Sequence, residues 1–131
     1  MIERKKMTKS ELEGRLIDFA VAVIKLAALL PGTFAGKHLS EQITRSGTSP
    51  ALNYGEAQSA ESRKDFIHKI KIILKVLRET LISLKIILKS NLLLNQKSLL
   101  ELITENNELI SIFVKSVETA TNNEKINTSK I

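Results

Sequence analysis

Leu12, Leu16, Phe19, Val23, Leu26 and Leu30 follow one another at gaps of 4, 3, 4, 3 and 4. That spacing lines one face of an α-helix and no face of a strand, whose side chains change sides at every residue. The same period returns in three later segments, so the chain is committed to amphipathic helices that must bury their apolar stripes against one another. Helices are predicted over Lys9–Leu30, Lys37–Gln58, Arg63–Lys89 and Gln96–Thr119. Thr8 with Glu11 makes a capping box before the first, Pro31-Gly32 stops it, and Ser62 caps the third with Asp65 in its first turn. Short connections between long helices favour antiparallel neighbours. The expected fold is therefore all-α, an up-down-up-down antiparallel four-helix bundle over residues 1–119, with a polar, disordered tail at 120–131.

Composition agrees, with only two prolines, five glycines, no tryptophan and 4% aromatics. The absence of cysteine removes disulfides and thiolate metal sites. The apolar run Leu16–Leu30 contains Asp18 and Lys25 and is too short and too charged to span a bilayer. No signal-peptide pattern follows it, so a cytoplasmic protein with no membrane partner is expected.

The second helix carries an unusual seam. Gln42, Ser46, Ser49, Asn53 and Glu56 lie at gaps of 4, 3, 4 and 3, with Arg45 beside them. This line keeps its register across Pro50, which argues for one kinked helix; the alternative is a break with Ser49 as cap and Pro50 at the first helical position. Short amides and hydroxyls are not the Lys and Glu that normally cover a solvated face. They favour a packed, hydrogen-bonded seam in which Arg45 and Glu56 pair, directly or through a neighbouring helix, and to which Asp65 contributes. Gly47, Ala51 and Gly55, four residues apart, either admit a close neighbour or are merely tolerated.

Net charge is +6, but eight basic against three acidic residues fall within 61–90, and the rest of the chain nearly balances. Lys64, Lys71, Lys75, Arg78, Lys85 and Lys89 share one line of the third helix. At 1.5 Å per residue this makes a cationic ridge about 37 Å long. Such a ridge suits RNA or DNA phosphates without sequence choice, an acidic protein partner, or plain solubility. No aromatic platform accompanies it, so base-specific stacking is not expected. The same helix carries more apolar positions than one broad face requires, among them Ile72, Val76 and Ile86, which predicts self-association.

Enzyme chemistry finds little footing. His38 and His68 lack ligand spacing, no phosphate-cradling glycine loop occurs, and none of Ser46, Ser49, Ser59 or Ser62 has a histidine suitably placed as a base. The expectation is a non-enzyme with no catalytic residues, no metal and no cofactor.

The segments "ELEGRLIDFAVAVIKLAALLP" and "HLSEQITRSGTSPALNYGEAQSAESRKDFIHKIKIILKVLRET" resemble the bacterial four-helix-bundle proteins encoded in 23S rRNA intervening sequences. Gln42, Arg45-Ser46, Ser49, Asn53, Glu56-Ala57, Ser62, Asp65-Phe66 and Arg78-Glu79 carry the match. The resemblance implies a homo-oligomer, with five-fold rings seen in the family. It also implies kinship to the accessory variability protein of diversity-generating retroelements, a basic pentamer that engages nucleic acid and a reverse transcriptase. It attaches no catalytic activity.

Overall fold

A computed structural model of the chain describes residues 7–129, of which 124–129 are described by backbone alone. Four helices follow in order: α1 (Lys9–Leu29), α2 (Phe34–Gln58), α3 (Arg63–Lys89) and α4 (Lys97–Ser129). No strand occurs among the described residues.

The helix starts follow the caps. Thr8 Oγ1 accepts from the Glu11 amide, and Ser62 Oγ accepts from the Asp65 amide. α2 begins three residues before its expected start at Lys37 because Thr33 caps it, accepting from the Gly36 amide. Gly36 is buried there against the Pro31 carbonyl, where a methyl group has no room. α3 ends with Asn91 at φ 52°, the left-handed conformation that asparagine tolerates better than most residues.

α2 runs unbroken through Pro50, so the alternative of a break at Ser49 is not what forms. The fourth helix was expected to end at Thr119 with a disordered tail, yet it continues to Ser129. No glycine or proline interrupts it, and polar residues alone do not stop a helix. Residues 130 and 131 lie outside the described residues.

The core is one contiguous cluster. Leu16, Phe19 and Val23 of α1, Ile43 of α2, Ile70, Ile73, Leu77, Leu84 and Ile87 of α3, and Leu99, Leu109 and Phe113 of α4 are fully buried. Tyr54 and Phe113 meet edge to face, ring centroids 5.9 Å apart. α2 packs broadly on α1 and α3, α3 packs on α4, and α1 meets α4 most lightly. That light seam is closed by Arg15, which grips Glu105 at 2.7 and 2.6 Å and also reaches Glu108. Glu105 first, and then Glu108, hold the guanidinium proton even more tightly than usual.

Specific pairings set the height of each helix against the next. Val23 faces Gly47; Ser46 bonds Thr80; Glu56 meets Lys69; and Asn106 bonds the Leu77 carbonyl. Gly47 is the close-approach residue of the small-residue line. A methyl group there would lie 2.7 and 2.8 Å from the Val23 methyls. Gly55 faces open space, so the line works at one end only.

Candidate functional site

The polar seam of α2 is only partly inside. Ser46 is buried, and its hydroxyl pairs at 2.8 Å with Thr80, a fully buried residue of α3. Ser49 and Asn53 are half-buried and serve each other: the Asn53 amide donates to the Ser49 carbonyl at 3.0 Å and to its hydroxyl at 2.9 Å. Gln42 is half-buried, while Arg45 and Glu56 are exposed.

The expected Arg45–Glu56 pair does not form. Eleven residues separate them on one helix, about 16 Å of rise, which no pair of side chains spans directly. Glu56 instead takes Lys69 of α3 at 2.7 Å. This hydrogen bond is the main reason the Lys69 pKa rises, and Asp65 adds a smaller attraction. Asp65 lies in the first turn of α3, four residues before Lys69. Ser46 and Glu56 bond across to α3, whereas Ser49 and Asn53 bond within α2. Thr80 of α3 is a member of the pairing that lies outside the α2 line. Its place opposite Ser46 required the register between two helices.

The cationic line of α3 presents a different surface. Lys64, Lys71, Lys75, Arg78, Lys85 and Lys89 are all exposed. None takes part in an ion pair among the described residues, whereas Lys69, one turn round, is taken by Glu56. The core stripe of α3 packs on α2 and α4, which leaves this line on the outer face. Glu79 is the one carboxylate lining the open depression along it, together with Lys71, Lys75 and Arg78.

That depression has an apolar floor. Leu74, Ile82 and Ile86 line it, with Gln42 of α2 and Val117 of α4 at its flanks. Ile82 is 57% exposed and sits in the middle of the cationic line, a residue that periodicity did not single out. Its signal was present in the sequence: it falls seven residues after Lys75 and seven before Lys89, on the same line. Ile86 is likewise exposed, as expected, while Ile72 and Val76 are half-buried. Among the described residues no group of three or more His, Asp or Glu is placed to hold a metal ion. No helix of the described residues is long and apolar enough to cross a membrane.

The family model of the 23S rRNA-intervening sequence protein matches residues 9–115. The chain belongs to that family. A solved structure from the S23 ribosomal protein family of Bacteroides thetaiotaomicron VPI-5482, of a protein with unknown function, is 28% identical. It covers 86% of this chain and 99% of its own, with a TM-score of 0.77. None of the curated proteins matches. The matched span takes in α1, α2, α3 and the first nineteen residues of α4, so the seam and the whole cationic line lie inside the family region. Neither description names an enzyme activity.

Proposed function

We propose that this family member is a non-enzymatic, self-associating, cytoplasmic bundle that binds RNA or DNA phosphates through Lys64, Lys71, Lys75, Arg78, Lys85 and Lys89. The observation that carries the reading is that six cations stand exposed on one line and, among the described residues, no carboxylate is paired to any of them. Unpaired cations at this density hold a positive field that a polyanion relieves by releasing its own counterions. The bundle is read as antiparallel throughout, with α2 bent at Pro50. Support comes from the pairings: Ser46–Thr80 and Glu56–Lys69 advance in opposite senses along α2 and α3. Self-association, as a ring of five or otherwise, is supported by the apolar residues left outside the core.

The test is retention of labelled RNA and DNA on a filter by the full chain. Reversing Lys71, Lys75 and Arg78 to Glu abolishes retention while the helical circular-dichroism signal persists. If all six cations reach a single strand, log affinity falls against log salt with a slope of about −4. Unchanged retention by the reversed variant refutes the proposal.

A second reading has one observation in its favour. Ile82 and Ile86 lie exposed among the cations, which suits an acidic, partly apolar protein partner, such as the reverse transcriptase that the resemblance implies, better than bare phosphates. A co-purifying protein that survives nuclease treatment and is lost on Ile82→Glu supports this reading over the first.

A further inference from the structure

Large apolar side chains stand out from one end of the bundle. Ser46–Thr80 and Glu56–Lys69 advance in opposite senses along α2 and α3, so going back along α2 and forward along α3 leads to the same end. From the Ser46–Thr80 level, Phe34 lies twelve residues back and Lys89 nine residues on, about 18 and 14 Å of rise. The α1–α2 and α3–α4 turns therefore share this end. Leu30, Leu92 and Leu93 pack against the core there. Leu29, Phe34 and Leu94 do not: Leu29 is 63% exposed, Phe34 90%, and Leu94 fully. Helix formation does not call for them. A hydrophobic staple joins the residue before the cap to the fourth helical residue, which in α2 are Gly32 and Lys37, not Phe34. Leu94 lies in the turn before α4 begins.

The charge round these tips has one sign. Residues 25–40 and 85–100 hold five lysines and no Asp or Glu. Lys37, Lys89 and Lys97 stand in the end turns of α2, α3 and α4, and Lys25 and Lys85 stand one turn behind Leu29 and Lys89. All five are exposed, and none forms an ion pair among the described residues. Lys37 and Lys97 lie near helix N-termini, where the dipole disfavours a cation, and neither helix has a carboxylate in its first turn. Helix stability therefore does not account for them. Every helix contributes a cation, so the charge surrounds the tips instead of lining one side of a groove. A sheet of anionic headgroups over hydrocarbon meets both demands at once, apolar in the middle and negative all round.

We infer that this end of the bundle docks on the surface of an anionic lipid bilayer. Leu29, Phe34 and Leu94 enter the headgroup layer, and the lysines round them meet lipid phosphates. This is a surface contact and not a span, for no helix of the described residues is long and apolar enough to cross a membrane. Lys64, Lys71, Lys75 and Arg78 lie farther down α3, so docking and the proposed nucleic-acid binding draw largely on different cations.

Vesicle sedimentation with the full chain tests the contact. Wild type sediments with vesicles of phosphatidylglycerol and phosphatidylcholine in equal parts, and not with phosphatidylcholine alone. Phe34→Ser combined with Leu94→Ser weakens binding at least about tenfold, and Lys37→Glu combined with Lys97→Glu does the same. All four positions are exposed, and circular dichroism checks that the fold is kept. The chain has no tryptophan, so Phe34→Trp supplies a single reporter whose emission moves to the blue when the mixed vesicles are added. This readout stands even where a double variant does not fold. Filter retention of RNA by the Phe34→Ser, Leu94→Ser variant stays at the wild-type level. Absence of sedimentation with the mixed vesicles, or sedimentation without the blue shift, overturns the inference. Loss of RNA retention by the same variant also overturns it and assigns this end to nucleic acid. A protein that wild type captures and this variant loses, with no vesicle binding by either, overturns it in favour of a protein partner.

Discussion

The Ser46–Thr80 pair offers a direct measure of what the seam contributes. Both residues are buried, and Thr80 Oγ1 lies 2.8 Å from Ser46 Oγ and 2.8 Å from the Val76 carbonyl. A threonine hydroxyl has one proton. Both contacts are satisfied when Thr80 donates to Val76 and accepts from Ser46. Thr80→Val preserves shape and deletes the acceptor, leaving the Ser46 hydroxyl without its partner between two helices, at a cost of about 1–3 kcal/mol. Ser46→Ala removes one hydrogen bond but leaves Thr80 tied to Val76, costing about 1 kcal/mol. The double variant strands no polar group. Its loss therefore falls short of the summed single losses by about 1 kcal/mol. Urea denaturation followed by circular dichroism reads all four proteins; at this chain length that coupling shifts a thermal midpoint by roughly 3–6 °C. Losses that add to within about 0.3 kcal/mol would mean that the two hydroxyls do not depend on each other, and the paired seam would fail as an account of α2.

The two glycines of α2 respond in opposite directions. Gly47→Ala drives a methyl group into Val23 and lowers the urea midpoint despite alanine's better helix propensity, with a net cost of about 1 kcal/mol or more. Gly55→Ala meets nothing within 4 Å and raises the midpoint by up to about 1 kcal/mol; midpoints that move the same way contradict the packing described. Tyr54 is the only tyrosine, and burial, its largest influence, pushes its pKa above the ordinary value. The folded chain therefore holds the phenol proton where the unfolded chain releases it, so stability is intact below a pH of about 10 and declines as pH rises beyond it. Phenolate absorbance of the native protein has a higher midpoint than that of the chain in urea, and coincident midpoints refute the burial argument.

The fold was legible because the core stripes are strictly periodic. Leu12 to Leu26 on α1 and Ile70 to Leu84 on α3 are buried as their spacing requires. α4 was harder. Its buried line is Leu99, Leu102, Asn106, Leu109 and Phe113, and the asparagine hides the repeat, so Ile103, Ile110 and Val117, which are half-buried, look equally central from sequence. The caps at Thr8 and Ser62 were readable because a hydroxyl three residues before its target amide is a local pattern. Pairings between helices were not. Glu56 has several cations within reach along the chain, and only the relative heights of α2 and α3 choose Lys69. The cationic line was visible residue by residue. Ile82 within it was overlooked because an apolar residue on a helix rich in them attracts no notice until the inner face is known.

Asn106 carries a consequence for α4 as a whole. It is fully buried; its amide donates to the Leu77 carbonyl at 3.0 Å, and its Oδ1 has no hydrogen-bond partner among the described residues. Leucines and isoleucines alone would let a long rod creep along its neighbour by a turn at small expense, since one greasy contact replaces another. A lone amide resists that: a slip takes its nitrogen away from the Leu77 carbonyl and leaves a donor stranded in hydrocarbon. The residue behaves as a detent, weakening the grip of α4 slightly while allowing it a single resting position.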